Sequence, residues 1–191
     1  MKAVMISIQP YWVFLIIAKA MGWEIEQHKE LEVRKNYPKA EDWNKVAKIY
    51  CSKDKKSFDK IPEKYRPAMK KFLGKVIVEF VCDNIGDFSQ WEFDYFALLR
   101  HINLFAGTNH DYKFLDDYLK GQKKGYGWHI SDLVIYDEPK ELSDFWTWKK
   151  CNSCKVSGYE SNACCFDIDC RVPALITRPP QSWCYVEGVG V

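Results

Sequence analysis

Short apolar runs recur along the chain and predict a series of β-strands. They are rich in β-branched and aromatic residues and cover residues 3–8, 46–51, 76–82 and the LVIY end of 128–136. Residues 10–21 are instead apolar nearly all round, which predicts a helix that lies under a sheet or plugs a barrel. Pro10 stands at the start of this helix and Gly22 follows its end, as is typical of helix boundaries. The hydrophobic pattern therefore predicts an α+β fold.

Other segments carry weaker helical signals. Residues 57–73 are studded with lysine and predict helix in pieces, because two prolines interrupt the segment. Residues 109–119 predict a helix, and residues 139–145 predict a short helical turn. The sequence WEFDYFALLRHINLF, residues 91–105, fits an amphipathic helix or a strand, and its assignment stays open.

A strand with alternating apolar and charged residues follows the first helix. It reads KELEVR at residues 29–34, with its two apolar residues alternating with Glu30, Glu32 and Arg34. Lys29 stands at its start. If the polar side faces a cleft, the Arg34 fork, the Glu32 carboxylate and the Lys29 ammonium suit a polar, planar or anionic ligand. The alternative is a half-exposed strand whose polar side is solvated.

The composition indicates one globular domain, residues 1–191, with a substantial core. Hydrophobic residues make up 47% of the 191 positions and charged residues 28%, which excludes a disordered chain. Aromatic residues make up 16%, including eight Trp, so we expect some of them to line a surface or pocket. Cys51 and Cys82 fall in predicted strands and are expected to be small core residues.

The net charge of +2 conceals a strongly basic stretch. Residues 45–75 contain eleven Lys or Arg and three acids, so their local charge is +8 and that of the remaining chain is −6. Such a block is typical of a surface that contacts nucleic-acid phosphates, with a solvated lysine-rich surface as the alternative. We expect the backbone contacts to come from five lysines: Lys53, Lys55, Lys56, Lys70 and Lys71.

The first twenty residues imitate a secretory signal peptide. They include a basic start, an apolar run at 11–18 and the small residues Ala18 and Ala20. However, residues 3–8 already form a strand-like run, Pro10 marks a helix start, and the apolar run is too short to span a membrane. We therefore expect a cytoplasmic protein that does not associate with membranes.

Three motifs resemble one protein family. SIQPYW at residues 7–12, an apolar helix and then K-x-L-E-V-R are similar to the opening of the ASCH domain. GYGWHISDLVIYDEPKELSDF at 125–145 and ITRPPQSWCYVE at 176–187 resemble the longer ASCH-domain proteins of bacteria and phages. The resemblance implies a PUA-like β-barrel with flanking helices and an association with RNA.

A pocket beside the strand at 29–34 is the predicted binding site for a base or nucleotide. Tyr126 and Trp128 could stack on a base, and His129 follows a Gly-rich turn, where a barrel opens. A packed core residue is the alternative for His129. The candidate ligand-binding residues are Ser7, Gln9, Lys29, Glu32, Arg34, Tyr126, Trp128, His129 and Ser131.

The resemblance also implies an enzymatic alternative. Some small ASCH proteins act as amidohydrolases on acylated cytidine through a Lys, a Thr nucleophile and a Glu. By motif, Lys29 falls on the catalytic Lys, but Glu32 occupies the position of the Thr, and a carboxylate cannot replace that hydroxyl without a change of mechanism. Lys29 and Glu32 remain a candidate acid/base pair for a ribonuclease or an amidohydrolase-like enzyme, if burial shifts their pKa values. We prefer binding of RNA, or of another nucleic acid or nucleotide.

Five of the eight cysteines cluster near the C-terminus and predict a metal site. Thiolates in C-x2-C pairs bind Zn tetrahedrally, and a cytoplasmic chain seldom uses disulfides. The sequence predicts a structural Zn site in a cysteine-rich segment, 149–172, inserted before the last strand. Its ligands would be Cys151, Cys154, Cys170 and either Cys165 or Cys164. Free thiols or disulfides are the alternative.

Overall fold

The structure is a computed structural model that describes residues 2–39, 43–87, 125–150 and 171–188. Its strands are β1 (Lys2–Ile8), β2 (Leu31–Arg34), β3 (Trp43–Cys51), β4 (Val76–Val81), β5 (Ile85–Asp87), β6 (Tyr126–His129), β7 (Ser131–Lys140), β8 (Phe145–Lys150), β9 (Arg171–Leu175) and β10 (Trp183–Gly188). Its helices are α1 (Pro10–Ile17), α2 (Lys55–Phe58) and α3 (Arg66–Lys70), with 3₁₀ turns at Glu63–Tyr65 and Leu142–Asp144. The strands predicted at 3–8, 46–51 and 76–82 are confirmed.

The strands form two open sheets. The larger sheet has the order β7-β4-β3-β1-β10-β8-β9, and the smaller sheet has the order β2-β6-β5. β1 and β3 run parallel, whereas β1 and β10 run antiparallel. In the described part of the chain, β7 and β9 end the larger sheet without pairing to each other, and β2 and β6 pair apart from it. The predicted α+β class is confirmed, but the predicted closure into a β-barrel is wrong.

The central position of β1 gives the larger sheet a core on each face. Because side chains alternate along a strand, Val4 and Ile6 join one core, while Ala3 and Met5 join the other. α1 packs in the first core, with six of its eight residues buried. No helix in the described ranges has the length and apolar character needed to cross a membrane.

The smaller sheet fixes the orientation of β2. β2 and β6 are antiparallel, with Glu32 opposite Trp128 and Leu31 opposite His129. Gly127 lies on β6 against Leu31, where an added Cβ would come within 2.6 Å of the leucine Cδ2. The missing side chain therefore permits the close packing of these two strands.

The second half of the chain follows the sequence pattern in part. The strand predicted from LVIY is confirmed as part of β7, and Ile130 separates it from β6 in the other sheet. The helical turn predicted at 139–145 is confined to Leu142–Asp144, because β7 continues to Lys140. The predictions at 91–105 and 109–119 lie outside the described residues.

Candidate nucleic-acid interface

Three charged side chains at β2 form a buried group, which we call the charged cluster. Lys29 Nζ contacts Glu32 Oε2, and Arg34 Nη2 lies 2.9 Å from Glu32 Oε1. The three side chains are only 6–7% exposed. Just before β2, the backbone N–H of Lys29 donates to the carbonyl of Leu15 in α1 at 3.1 Å. This bond holds the lysine against the first helix.

The polar side of β2 is therefore neither the open cleft nor the solvated face that the sequence allowed. Leu31, on the other side of the strand, is buried as well. Glu30 precedes β2 and does not join the charged cluster, since its side chain is 48% exposed and lies 4.0 Å from Lys19. Both faces of β2 are covered, so the alternating pattern marks a buried polar face.

Arg34 braces β2 against two other segments. Its Nη2 donates to the carbonyl of Ser7 at the end of β1, at 2.9 Å, and its Nη1 donates to the carbonyl of Ser182 at 3.4 Å. The backbone N–H of Ser7 also donates to Ser182 O, at 3.1 Å. The fork predicted to receive a ligand is thus occupied by the protein itself. Its buried Nε has no hydrogen-bond partner in the described ranges and is the donor that remains.

Burial and charge act on the cluster in opposite directions. Burial lowers the pKa of Lys29, and the charge and hydrogen bond of Glu32 offset this in part. Burial would raise the pKa of Glu32, but the charges of Lys29 and Arg34, with their hydrogen bonds, outweigh it and lower that pKa. Glu32 is therefore held as a carboxylate.

Two tryptophans close the charged cluster. Lys29 Nζ lies 5.1 Å from the ring centroid of Trp12 in α1, which is a cation–π distance. Trp128 lies opposite Glu32 on β6 and is fully buried, and its Nε1 has no hydrogen-bond partner among the residues described. The ring of Trp128, which was predicted to stack on a base, belongs to the core of the described structure. Its indole N–H is an unused donor on the same face of the sheet as Glu32.

A pocket of about 320 Å³ opens beside Lys29. Its walls come from α1 and the turn after it, from residues 28–30 and from residues 130–133, excluding residue 131. His28 lines it, and the buried Nδ1 of that ring has no hydrogen-bond partner in the described chain. Its volume is within the usual range for sites that take small organic ligands, about 300 Å³ and upward.

Residues 53–71, which we call the basic segment, present a dense group of exposed cations. Its buried side consists of Ser57, Ile61 and Met69. Its outer side carries seven exposed lysines, none of which has a carboxylate partner among the described residues. They are Lys53, Lys55, Lys56, Lys60, Lys64, Lys70 and Lys71. All five predicted phosphate-contacting lysines are therefore accessible.

Two lysines of the basic stretch predicted at 45–75 have structural partners instead. Lys48 contacts Glu79 and donates to the hydroxyl of Tyr136 at 3.0 Å, and Lys75 contacts Glu141. Burial first, and then the hydrogen bond and charge of Glu79, raise the pKa of Tyr136. Lys48 and Lys75 therefore stabilise strand packing, which distinguishes them from the lysines of the basic segment.

The basic segment packs on α1. The backbone N–H of Tyr11 donates to Ser57 Oγ at 3.1 Å, and the rings of Phe14 and Tyr65 lie 5.3 Å apart. At 100° per residue, Tyr11 and Phe14 occupy a different side of α1 from Trp12 and Ile16, which face the cluster and the pocket. The basic segment and the pocket are thus separated by about one helix diameter, roughly 10 Å.

Gln9 lies next to the basic segment, and Tyr126 lies on β6 in the smaller sheet. Gln9 is exposed and donates to Asp54 Oδ2 at 3.4 Å, and Asp54 caps the N-terminus of α2 through the N–H of Ser57. Gln9 thus links the β1–α1 turn to the basic segment. Tyr126 is half-buried, with its ring 4.6 Å from that of Tyr37.

His129 and Ser131 do not join the charged cluster. His129 lies on the opposite face of β6 from Trp128, and its Nδ1 is 2.6 Å from Asp83 Oδ1. The hydrogen bond from His129 lowers the pKa of Asp83. Ser131 donates its hydroxyl proton to Val81 O at 2.8 Å, which ties β7 to β4. The structure therefore separates these two residues from the other candidates.

Sequence reasoning missed Trp12, Ser182, Trp183 and Asp83. Trp12 could have been found from its position in α1, one helical turn before Ile16, which lines the pocket. Trp183 packs its ring 6.3 Å from that of Trp128, and this contact joins strands of different sheets. The motif at 176–187 contains Ser182 and Trp183, but it does not reveal that both approach β2 from the far end of the chain.

The candidate metal ligands Cys151, Cys154, Cys164, Cys165 and Cys170 lie outside the described residues. Within the described ranges, no group of His, Cys, Asp and Glu could hold a metal ion. Cys51 and Cys82 are buried as predicted, and burial raises the pKa of each thiol to about 12. These two cysteines are therefore protonated core residues.

Comparisons with known proteins identify the fold. No family model matches the chain, and no curated protein sequence matches it. The crystal structure of a serine-to-alanine variant of ZmASCH from Zymomonas mobilis aligns over 97% of this chain and 88% of its own, with a TM-score of 0.50 and 13% identity. A tyrosine-to-phenylalanine variant of ZmASCH covers 98% and 91%, with a TM-score of 0.47 and 14% identity. The ASCH protein of the same organism covers 73% of both chains, with a TM-score of 0.43 and 16% identity.

The first of these alignments shows that the chain has an ASCH-like α+β fold. The resemblance to the ASCH domain that was predicted from the sequence motifs is thus confirmed at the level of the fold.

Proposed function

We propose that this protein binds single-stranded RNA, with phosphates on the basic segment and one nucleotide in the pocket beside Lys29. The observation that carries the proposal is the group of seven exposed lysines without carboxylate partners in the described chain. Lys48 and Lys75 nearby are both paired with carboxylates. Unpaired cations concentrated on one surface favour a polyanion, because each phosphate contact releases counterions.

The position of the pocket supports a single strand as the ligand. It lies about one helix diameter from the basic segment, roughly 10 Å, on another side of α1. A base can leave the line of the phosphates and enter such a pocket only when it is unpaired. A single strand therefore satisfies both surfaces, whereas a duplex would contact only the lysines.

The charged cluster borders this pocket through Lys29, whose ammonium also contacts Glu32. The pocket is lined as well by Lys19, Glu30 and Asp132, so that cations and carboxylates balance around it. A phosphate or a base carbonyl near Lys29 would accept a charge-assisted hydrogen bond from its side chain. Lys29 is thus a positioned donor for one nucleotide.

A hydrolase with Lys29 and Glu32 as an acid/base pair is less well supported. Efficient proton transfer favours a group whose pKa lies near the working pH. The charges around Glu32 lower its pKa, and both of its carboxylate oxygens already contact cations. Because the carboxylate is engaged in this way, the geometry supports binding over turnover.

A titration of the wild-type protein tests the proposed function. The probe is a fluorescently labelled single-stranded RNA of about ten nucleotides, which is within the range of site sizes for single-strand binders. We expect anisotropy to report saturable binding that weakens as salt rises, and weaker binding of the duplex RNA and of the DNA of the same sequence. Absence of binding at low salt would refute the proposal. Tighter binding of the DNA or the duplex would refute its choice of ligand.

We also propose a structural zinc site in the segment between β8 and β9. The antiparallel pairing of Lys150 with Arg171 supports it, because the two ends of the cysteine-rich segment start from neighbouring positions in the sheet. Elemental analysis of the reduced protein should find about one zinc per chain, and a chelator should lower the melting temperature. Metal-free protein whose melting is unaffected by a chelator would remove this proposal.

A further inference from the structure

The hairpin of β8 and β9 presents aromatic and cationic side chains on one face. β8 pairs with β9 so that Trp146 lies opposite Leu175 and Lys150 lies opposite Arg171. Because side chains alternate along a strand, Trp148 shares the face of Trp146 and Lys150. Within the described ranges, β9 ends the larger sheet, so β8 and β9 lie at its margin.

Trp148 is both exposed and held in position. Its side chain is 40% exposed, and Leu175 nearby is 58% exposed. The indole Nε1 donates to Glu187 Oε1 at 2.8 Å, and the ring meets that of Trp146 edge-on, with centroids 5.3 Å apart. The indole is therefore fixed at one edge while part of it faces solvent, as a preorganised stacking surface requires.

The charges around Trp148 favour an anionic ligand. Lys150 and Arg171 lie on this face, both are exposed, and neither has a carboxylate partner in the described part of the chain. Glu187 is the acid that contacts this face, and the indole N–H engages it. An apolar protein partner would remove water from these cations without offering them a counter-charge. A nucleotide instead offers a ring to the indole and a phosphate to the cations.

We propose that Trp148 is a second nucleotide-binding site, where a base of the bound single-stranded RNA stacks on the indole while Lys150 and Arg171 contact its phosphates. This inference rests on the proposed function. In the larger sheet β8 lies beyond β10 on one side of β1, whereas the basic segment follows β3 on the other side of β1. The order β3-β1-β10-β8 contains three strand spacings, which place the two surfaces roughly 14 Å apart across the sheet at about 4.8 Å per spacing.

Substitution of Trp148 tests this site. The probe is a single-stranded RNA of about ten nucleotides that contains 2-aminopurine, whose fluorescence is quenched by stacking. We expect Trp148→Ala to weaken binding about tenfold and to relieve part of the quenching, while the salt dependence is unchanged. Trp148→Phe retains a ring and should recover part of both signals. Val172→Ala, on the other face of the same hairpin, is the matched control and should bind as the wild type does.

The outcomes separate this inference from the function on which it rests. If the wild type binds the RNA and Trp148→Ala binds it equally well with unchanged quenching, the second site is refuted and the proposed function stands. If the wild type does not bind the RNA at all, the proposed function itself fails. Equal losses of affinity for Trp148→Ala and Val172→Ala would also refute stacking. They would show that binding depends on the structure of the β8–β9 hairpin and not on the indole ring.

Discussion

Replacement of Glu32 by Gln is expected to lower the free energy of unfolding by about 3 to 5 kcal/mol. The carboxylate lies between Lys29 and Arg34, and all three side chains are buried. The neutral amide introduced by Glu32→Gln would leave two buried cations without a counter-charge, and this loss exceeds the net value of the ion pairs themselves. Urea unfolding followed by circular dichroism measures the change.

Two substitutions serve as controls for this prediction. Glu30→Gln removes an acid two positions away, but the Glu30 side chain is half-exposed and 4.0 Å from Lys19, so the loss should stay below about 1 kcal/mol. Lys29→Met leaves the Glu32–Arg34 pair electrically balanced and should also cost little. Equal losses for Glu30→Gln and Glu32→Gln would contradict the account of the charged cluster.

The same cluster predicts how stability depends on pH. The charges of its neighbours lower the pKa of folded Glu32 below its ordinary value of 4.5. The carboxylate therefore contributes its full stabilisation above the unfolded pKa, and this contribution is lost as the pH falls through the folded value. Acid should thus reduce the stability of the wild type more than that of Glu32→Gln, whose amide does not titrate.

Charge reversal of Lys55, Lys56, Lys70 and Lys71 to Glu is expected to weaken RNA binding on the order of 100-fold at physiological salt. The four side chains are exposed, so the substitutions should not disturb the core. Each removes a candidate phosphate contact together with the counterion release that accompanies it. Anisotropy titration gives the affinity, and thermal melting verifies the fold of the variant.

Reversal of Lys39 and Lys45 to Glu is the control for this loss. Both lysines are exposed and lie outside the basic segment, the pocket and the β8–β9 hairpin. The loss per reversed charge should be several times smaller than in the basic segment. A similar loss per charge would mean that binding responds to net charge alone. The lysines of the basic segment would then be solvated and would not contact phosphates.

The parts of the fold that depend on local pattern were predictable. Continuous apolar runs define β1 and β4, and Pro10 marks the start of α1, because each signal acts within a few residues. The separation of β6 from β7 at Ile130 was not predictable, since it depends on which distant strands each one pairs with. The open sheets follow from the same non-local pairing.

The charged cluster shows the limit of pattern reasoning most clearly. The alternation at residues 29–34 correctly grouped Glu32 with Arg34, but alternation is the same whether the polar side faces water, a ligand or other protein groups. Arg34 is satisfied by Ser182, far away in the sequence, and no local signal could reveal this. The basic segment was found from charge alone, because its cations need no tertiary partner to be recognised.

The salt dependence of RNA affinity tests the central claim most directly. For single strands, the slope of log K against log salt changes by about 0.7 for each phosphate contact. The reversal of Lys55, Lys56, Lys70 and Lys71 should therefore make the slope shallower than that of the wild type by about 2.8, whereas reversal of Lys39 and Lys45 should leave it unchanged. A slope that is identical in the wild type and the four-lysine variant would contradict RNA binding by the basic segment.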